Sequence, residues 1–414
     1  MSKQRHITSL IRHRTQTPIG RIIILTGARQ VGKTTTIQQD FQDYTYISVE
    51  DPIQRTALKN MGADQWFANL PVAAMDEIQK EPVLIDSIKA VYDKYKESKY
   101  ILLGSSQILL LQKVKETLAG RCSIFDMYPL CLTELQTPAI PLHHSPWQRL
   151  LVKDTVTFKF SLSLEKDYAA ILDAYSYYLR FGGYPALVDE QMTDELRYLW
   201  LRDYTRTYLE RDVRDLAAIK DLEPFIKLQQ SVALMTGKIL NNSNLSRDLG
   251  ISAPTISRYL QYLNLSYQII SLPAWERNYN KRLVRAPKIH FLDHGVLQSV
   301  LNRKGGLSGN EFESAIISEI YKQAHAIAAD ARFYHLRTHE GREVDLLVET
   351  PEGYYAFEVK MTEHVSPTDA RHLLHLSEIL TDKPIIHSYI LSNDMQTAEL
   401  APDITAVHAA YFLG

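Results

Sequence analysis

The sequence of 414 residues has only two cysteines, Cys122 and Cys131, and they form neither a CxxC pair nor a disulfide framework. Such sparse cysteine is typical of a reducing compartment, so we expect a cytoplasmic protein. The fourteen histidines include no HExxH pattern, and the sequence therefore suggests no zinc site. No uninterrupted apolar stretch is long enough to cross a membrane, and the first residues carry scattered charges instead of an apolar leader. We expect no membrane association.

The sequence also lacks an excess of charge of one sign. Its 46 basic and 48 acidic residues give a net charge of −2. This balance excludes a polycation that binds nucleic acid with its whole surface, so any such site must be a local patch. Hydrophobic residues make up 45% of the chain, as in an ordinary globular protein. The length favours roughly two to four domains.

The most informative stretch is the P-loop pattern GxxxxGKT at residues 27–34. Its two glycines allow the backbone to curl around a phosphate chain and to direct several N–H groups at it. Lys33 would reach the β- and γ-phosphates, and the Thr34 hydroxyl would bind Mg²⁺. An apolar run at 21–26 precedes the loop as a buried parallel strand, and a helix is expected to follow. The candidate nucleotide-binding residues are Gly27, Ala28, Arg29, Gln30, Val31, Gly32, Lys33, Thr34 and Thr35.

Two further apolar runs end in polar residues that would face the same phosphates. The run at 72–75 leads into Asp76, which would hold Mg²⁺, and Glu77, which would polarise the attacking water. The run at 100–103 is followed by Ser105 and Ser106, which would either sense the terminal phosphate or cap a helix. Because these runs alternate with helical patterns, they predict a parallel α/β sheet.

These segments, together with the residues Leu118-Ala-Gly-Arg121, resemble the AAA-type ATPase domain of a large bacterial and archaeal family. In that family a second region of uncharacterised function follows, and residues 181–185, 208–212 and 287–295 are similar to it. The resemblance implies binding of ATP. Two interpretations of Arg121 are open: it faces the γ-phosphate of a neighbouring subunit, or it is a plain structural arginine.

Residues 238–272 have the pattern of a helix-turn-helix, in which Gly250 supplies the turn and Pro254 stands early in the second helix. From Thr236 to Lys288, eight basic residues stand against two acidic ones, a net charge of +6. We therefore expect DNA contact through residues 236–288, although a module for protein contacts within an ATPase is the alternative. The side chains expected to face DNA are Thr255, Ser257, Arg258 and Gln261.

A last candidate site contains Asp345, Glu358 and Lys360, which lie on two alternating strands at 343–349 and 354–360. A helix that begins near Gly309 carries Glu313, and a helix at 367–377 and a strand at 385–391 are expected to follow. The arrangement resembles the PD-(D/E)XK nuclease fold. The resemblance implies that Asp345 and Glu358 bind Mg²⁺, and that Lys360 orients or activates water. The same fold is also used as an inert binding module, so cleavage stays open.

The expected fold class is α/β. A P-loop NTPase domain with a parallel sheet (1–145) precedes a helical region (146–235), a winged helix-turn-helix (236–303) and an α/β nuclease-like domain (304–414). The expected function is Mg²⁺-dependent ATP hydrolysis coupled to the DNA-binding and nuclease-like modules. Two alternatives are an ATP-regulated, metal-dependent DNA endonuclease and a nucleotide-gated switch with an inactive nuclease-like domain. Assembly into a homo-oligomer is also open.

Overall fold

The computed structural model describes residues 3–104, 114, 116–208, 221–277, 285–338 and 341–414. Its first part is built on a sheet of five parallel strands in the order β2-β3-β4-β1-β5. The strands are β1 (Ile22–Thr26), β2 (Thr45–Ser48), β3 (Val72–Asp76), β4 (Lys99–Gly104) and β5 (Cys122–Asp126). All five residues of β1 are buried, as a continuous apolar run in a parallel sheet should be. The predicted α/β class and parallel sheet are confirmed.

Among the residues that the structure describes, five helices accompany this sheet. They are α1 (His6–Thr15), α2 (Lys33–Asp40), α3 (Pro52–Lys59), α4 (Ala63–Asn69) and α5 (Val83–Lys94). The carboxylate of Asp51 caps α3 by accepting the N–H of Ile53 at 2.8 Å. A helical region follows, with α6 (Leu132–Leu135), α7 (Pro146–Leu151), α8 (Tyr168–Phe181), α9 (Asp194–Tyr208) and α10 (Glu223–Leu234). Short 3₁₀ segments lie at Pro18–Gly20, Ile78–Lys80, Leu162–Leu164 and Pro185–Val188.

Two helices joined by a tight turn occupy the positions expected for the helix-turn-helix. They are α11 (Asn242–Leu249) and α12 (Ala253–Leu265), and Gly250 between them has a φ of 68°. Ile256 and Leu263 of α12 are fully buried. Beside the helices lies an antiparallel sheet in the order β6-β8-β7, made of β6 (Lys238–Ile239), β7 (Ile269–Leu272) and β8 (Lys288–Phe291).

The last part contains a mixed sheet of six strands in the order β13-β14-β12-β11-β10-β9. The strands are β9 (Arg332–Arg337), β10 (Glu343–Glu349), β11 (Tyr354–Val359), β12 (Ile385–Ser392), β13 (Ala398–Ala401) and β14 (Ile404–His408). The described residues of this part also form the helices α13 (His294–Val300), α14 (Gly309–Ala326) and α15 (Ala409–Leu413). The helix predicted at 367–377 is wrong, because two 3₁₀ segments (Pro367–His372 and Leu376–Glu378) are separated by His375 with a left-handed φ of 58°.

One continuous set of buried apolar side chains connects all of these parts. It extends from Leu25 in β1 through Phe181 in α8, Leu263 in α12 and Phe312 in α14 to Leu391 in β12. The parallel sheet is therefore packed into the rest of the chain and does not form a separate lobe. No helix within the described ranges is long and apolar enough to span a membrane.

Candidate functional site

The P-loop connects the end of β1 to the start of α2. Gly27 and Gly32 have φ values of 151° and 96°, which favour glycine. A Cβ atom on Gly27 would lie only 2.2 Å from the carbonyl oxygen of Met127. Because α2 begins at Lys33, the positive end of the helix dipole lies at the loop, where it favours an anion.

The Lys33 ammonium lies over the loop that carries it. Its Nζ atom donates to the carbonyl oxygens of Gly27 at 2.8 Å and Ala28 at 2.7 Å, and the side chain is buried. A phosphate bound in the loop would compete for this ammonium with two neutral oxygens. The exchange is favourable because hydrogen bonds from an ammonium to an anion are stronger than those to a carbonyl group.

Asp76 and Thr34 are adjacent, as the sequence predicts for residues that share Mg²⁺. The Thr34 hydroxyl donates to Asp76 Oδ2 at 2.5 Å, and the Tyr46 hydroxyl donates to the same oxygen at 2.9 Å. Burial, and then the charge of Asp76, raise the pKa of Tyr46 well above its ordinary value, so Tyr46 stays a donor. Sequence reasoning missed Tyr46. Its only signal is its place in β2, which pairs with the strand that ends at Asp76.

Glu77 follows Asp76 in a left-handed conformation with a φ of 55°. This turn directs Glu77 into the cleft that also contains Lys33 and Thr34. The Glu77 carboxylate accepts a hydrogen bond from the Gln79 amide. Ser105 and Ser106 lie outside the described residues, but β4, which precedes them, lies between β1 and β3 in the sheet.

Arg121 lies far from the P-loop of its own chain. It directly precedes β5, which runs parallel to β1. Arg121 therefore lies at the N-terminal ends of these strands, whereas the P-loop follows the C-terminal end of β1. Its Nε atom lies 3.0 Å from Asp93 Oδ1. The prediction that Arg121 serves a neighbouring subunit stays a prediction.

The P-loop forms one wall of a cleft of about 830 Å³, a size that suits a small-molecule ligand. A second wall is formed by Pro185, Ala186 and residues 188–191, which follow the Gly182-Gly183 pair. The two walls are close together, because a Cβ atom on Gly32 would lie 3.8 Å from Cγ of Pro185. The Tyr204 hydroxyl also donates to the carbonyl oxygen of Arg29 at 3.3 Å.

Asp293 holds the glycine pair in place. Its Oδ2 atom accepts the N–H of Gly183 at 2.8 Å, and its Oδ1 atom caps α13 by accepting the N–H of Val296 at 3.1 Å. A Cβ atom on Gly182 would lie 2.1 Å from the same carboxylate. Burial raises the pKa of Asp293. The second wall of the cleft is therefore positioned by a residue more than a hundred positions further along the chain.

A second link joins the P-loop strand to the end of the helix pair α11 and α12. Tyr267, just after α12, places its hydroxyl 2.6 Å from Asp126 Oδ1 and 2.8 Å from Thr26 Oγ1. Thr26 also donates to this Asp126 oxygen at 2.6 Å. Because Thr26 directly precedes Gly27, the network touches the end of β1 where the loop begins. No sequence motif indicated this contact.

The C-terminal acidic residues converge, but around a lysine that the sequence did not assign to them. Lys288 in β8 places Nζ 2.7 Å from Glu313, 3.0 Å from Asp345 and 3.4 Å from Glu343. Sequence reasoning treated Lys288 as part of the basic DNA-binding segment. The structure instead buries it, so it is not available to a DNA phosphate.

Glu358 and Lys360 complete this cluster. Lys360 Nζ lies 2.6 Å from Glu358 Oε1, as expected for two residues on the same side of one strand. The N–H of Val359 donates to Asp345 Oδ2 at 3.0 Å. Burial and then the Asp345 carboxylate raise the pKa of Glu358 to about 7. Burial opposes the charge of Lys360, but Glu358 outweighs it and raises the pKa of that lysine.

The same forces act on the pKa values of Glu313 and Lys288. Burial and then Asp345 raise the pKa of Glu313 to about 8, although Lys288 opposes the shift. For Lys288 burial lowers the pKa, but the carboxylates of Asp345 and Glu313 outweigh this effect and raise it. The ammonium therefore stays charged at neutral pH.

Three family models match successive parts of the chain. Residues 20–136 match an AAA domain, residues 172–306 match a domain of unknown function (DUF8612), and residues 308–412 match another domain of unknown function (DUF4143). The first match covers the parallel sheet and its P-loop. It supports an AAA-type P-loop ATPase fold for this part of the chain.

Two uncharacterized proteins, one from Mycobacterium bovis and one from Mycobacterium tuberculosis, are each 25% identical to this chain over 395 residues. The alignment covers 90% of this chain and 78% of each relative. The structure is similar to a Walker-type ATPase of Pyrococcus abyssi at 16% identity and a TM-score of 0.47, over 72% of this chain and 94% of that one. The ORC1 protein of Aeropyrum pernix, solved in complex with DNA, has 13% identity and a TM-score of 0.28, over 72% and 92% of the two chains. Neither structural likeness identifies a ligand or partner of this chain.

Proposed function

We propose that the first part of the chain binds ATP with Mg²⁺ and hydrolyses it. The observation that carries this proposal is the meeting of Lys33, Thr34 and Asp76 beside one helix N-terminus. The loop N–H groups and Lys33 would bind the β- and γ-phosphates, and Glu77 would polarise the attacking water. The oxygens of Thr34 and Asp76 suit Mg²⁺, which prefers oxygen ligands and would neutralise phosphate charge when bound.

We also propose that the nucleotide state acts on the helix-turn-helix, and that this module binds DNA. The contact of Tyr267 with Thr26 and Asp126 supports an effect of the nucleotide state on this module, because it joins the end of α12 to the strand that enters the P-loop. A change in the loop on nucleotide binding would alter the hydrogen bonds of Tyr267. Coupling between two sites requires an element with two arrangements, whose equilibrium binding at either site can shift.

The outer face of α12 supports the proposal that this module binds DNA. Ser257, Arg258 and Gln261 are exposed and Thr255 is half-buried, while the opposite face packs into the core. These side chains can hydrogen-bond with phosphates or base edges. Not every basic residue of the segment is available, since Arg285 pairs with Glu276 at 2.6 Å. The proposed DNA surface is therefore centred on α12.

The proposal is tested by measuring ATP turnover and oligomeric mass with and without duplex DNA. We expect Mg²⁺-dependent turnover that changes when DNA is added. Turnover no greater than that of the Lys33→Ala variant would contradict the ATPase. If turnover and oligomeric mass do not change when DNA is added, and no DNA binding is measurable, the proposed DNA role is contradicted. The proposed ATP hydrolysis is not affected by this result.

Replacing Arg258 by alanine is expected to weaken DNA binding about tenfold at moderate salt, because an exposed guanidinium on the proposed recognition helix is lost. Fluorescence anisotropy with a labelled duplex measures this change. Arg332→Ala, which removes an exposed arginine from β9, is the matched control and should bind DNA as the unmodified protein does. Equal losses in both variants would point to general charge attraction and not to α12.

Removal of the Tyr267 hydroxyl by Tyr267→Phe is expected to uncouple the two sites. The ratio of DNA affinities with and without a non-hydrolysable ATP analogue should move toward one, because the contact to Thr26 and Asp126 is lost. Tyr262→Phe, which removes a hydroxyl from α12 itself, serves as the control. An unchanged ratio in Tyr267→Phe would show that coupling does not pass through this contact.

A further inference from the structure

We propose that Lys288 is the resident cation of the C-terminal acidic cluster, so that its ammonium stands where a divalent metal would be expected. The cluster would then be an ionic connection between the helix-turn-helix sheet and the C-terminal sheet. This inference goes beyond the proposed ATPase and does not depend on it. It bears on the alternative in which the chain is a metal-dependent endonuclease.

The geometry matches an ammonium. A lysine ammonium has three N–H donors and no acceptor, and Nζ of Lys288 faces the three carboxylates of Glu313, Asp345 and Glu343 at 2.7, 3.0 and 3.4 Å. The lysine residue is only 2% exposed. A buried cation of this kind requires acidic partners, and a buried acidic cluster requires a cation. The ammonium of Lys288 and the carboxylates around it therefore compensate each other's charge.

The residues do not fit the Mg²⁺ that the nuclease resemblance implies for Asp345 and Glu358. Both oxygens of Asp345 are engaged, one by Lys288 and one by the N–H of Val359, and Lys360 engages Oε1 of Glu358. Of the four oxygens of these two residues, only the buried Oε2 of Glu358 has no hydrogen-bond partner. Within the part of the chain that the structure describes, no three acidic, histidine or cysteine side chains converge to hold a metal.

Burial argues in the same direction. Glu358, Asp345 and Glu313 are only 3%, 7% and 8% exposed. A nuclease must bring the scissile phosphate to its metal, so its acidic ligands face an open groove. These three carboxylates are therefore covered, whereas the side chains of Glu343 and Lys360 at the margin of the cluster are 37% and 36% exposed.

The lysine comes from a different sheet than its acidic partners, which gives the cluster a structural role. Lys288 belongs to β8, whereas Glu313 lies on α14 and Asp345 on β10. The same two sheets are also joined by backbone bonds: the N–H of Trp275 donates to His335 at 2.7 Å, and the N–H of His335 donates to Pro273 at 3.0 Å. The ionic cluster and this short bridge fix the helix-turn-helix sheet to β9 and β10.

Mn²⁺ titration followed by electron paramagnetic resonance tests whether the cluster takes a metal. The Asp76→Asn variant removes the carboxylate proposed to hold Mg²⁺ beside the P-loop, and it is compared with the double variant Asp76→Asn/Glu358→Gln. We expect the two proteins to bind the same amount of Mn²⁺ at up to about 1 mM, the range of the weakest protein sites. Extra binding by Asp76→Asn that Glu358→Gln abolishes would overturn the inference.

Thermal unfolding of the full chain tests the ionic connection. Lys288→Met is expected to lower Tm by roughly 5–10 °C, because it leaves buried carboxylates without their cation. Lys288→Met/Asp345→Asn should recover at least half of this loss. Lys59→Met is the matched control; its ammonium pairs with Glu81 at 3.2 Å on the surface, and its Tm should not change.

Two results would overturn the ionic connection. One is a Tm of Lys288→Met equal to that of the unmodified protein. The other is a double variant as unstable as Lys288→Met, which would mean that Lys288 contributes by packing and not by its charge. If Lys288→Met does not fold at all, recovery of folded protein in the double variant gives the same answer.

Discussion

Alanine in place of Lys33 is expected to lower ATP turnover at least about 100-fold, the loss that follows when a preorganised charge donor to a transition state is removed. Lys33 is buried and its ammonium is already held over the P-loop by the carbonyl oxygens of Gly27 and Ala28. It therefore needs little rearrangement to bind a phosphate. Release of inorganic phosphate at saturating ATP and Mg²⁺ measures the effect.

A second variant separates binding from chemistry. Glu77→Gln removes the proposed water-polarising carboxylate, whereas the loop and its lysine stay intact. We expect Glu77→Gln to bind ATP and to hydrolyse it slowly, and Lys33→Ala to lose both properties. Lys59→Ala, on the surface of α3, is purified in the same way as a control, and its turnover should equal that of the unmodified protein. Retention of a substantial part of the turnover by Lys33→Ala would show that the P-loop is not the site of hydrolysis.

The P-loop could be predicted from the sequence because its residues are contiguous. The spacing of Gly27, Gly32 and Lys33 fixes the loop locally, and Asp76 ends an apolar run that is recognisable by itself. Tyr46 could not be predicted in this way. It contributes to the site only because β2 pairs with β3, and strand order is a property of the folded sheet.

The same reasoning explains the wrong helix and the misassigned lysine. Residues 367–377 have helical spacing, but Pro367 starts a 3₁₀ segment and His375 turns left-handed, so no regular helix forms. Lys288 looks like one more basic residue in a basic segment. Its burial is decided by Glu313 and Asp345, which belong to elements far along the chain.

The predicted domain boundaries stay predictions, but interactions of buried charged residues cross them. Glu319 of α14 accepts the N–H of Leu132 at 2.7 Å, and Lys322 of the same helix donates to the carbonyl oxygen of Leu130 at 3.2 Å. Leu130 in turn donates its N–H to the carbonyl oxygen of Gly183, beside the cleft that the P-loop lines. The helix that carries Glu313 is therefore also a support for the ATPase part.

Methionine in place of Lys322 is expected to reduce the free energy of unfolding by about 3–5 kcal/mol, the cost of leaving a buried charge without its partner. Lys322 and Glu319 are both fully buried, and Lys322 Nζ lies 2.8 Å from Glu319 Oε2. The ammonium also lies 4.5 Å from the centre of the Tyr178 ring. Methionine keeps most of the volume of lysine, so the loss reports on charge. The midpoint of urea unfolding measures it.

Two further variants decide whether the effect comes from an uncompensated charge. Lys322→Met/Glu319→Gln removes both charges and should be more stable than Lys322→Met alone, because no buried carboxylate is then left without a cation. Lys227→Met removes the ammonium from an exposed pair with Glu223, and its urea midpoint should stay unchanged. If the double variant were less stable than Lys322→Met, the carboxylate of Glu319 would be stabilised by its hydrogen bonds to Leu132 and Gln323 alone. The ammonium would then have no part in fixing α14 to the ATPase sheet.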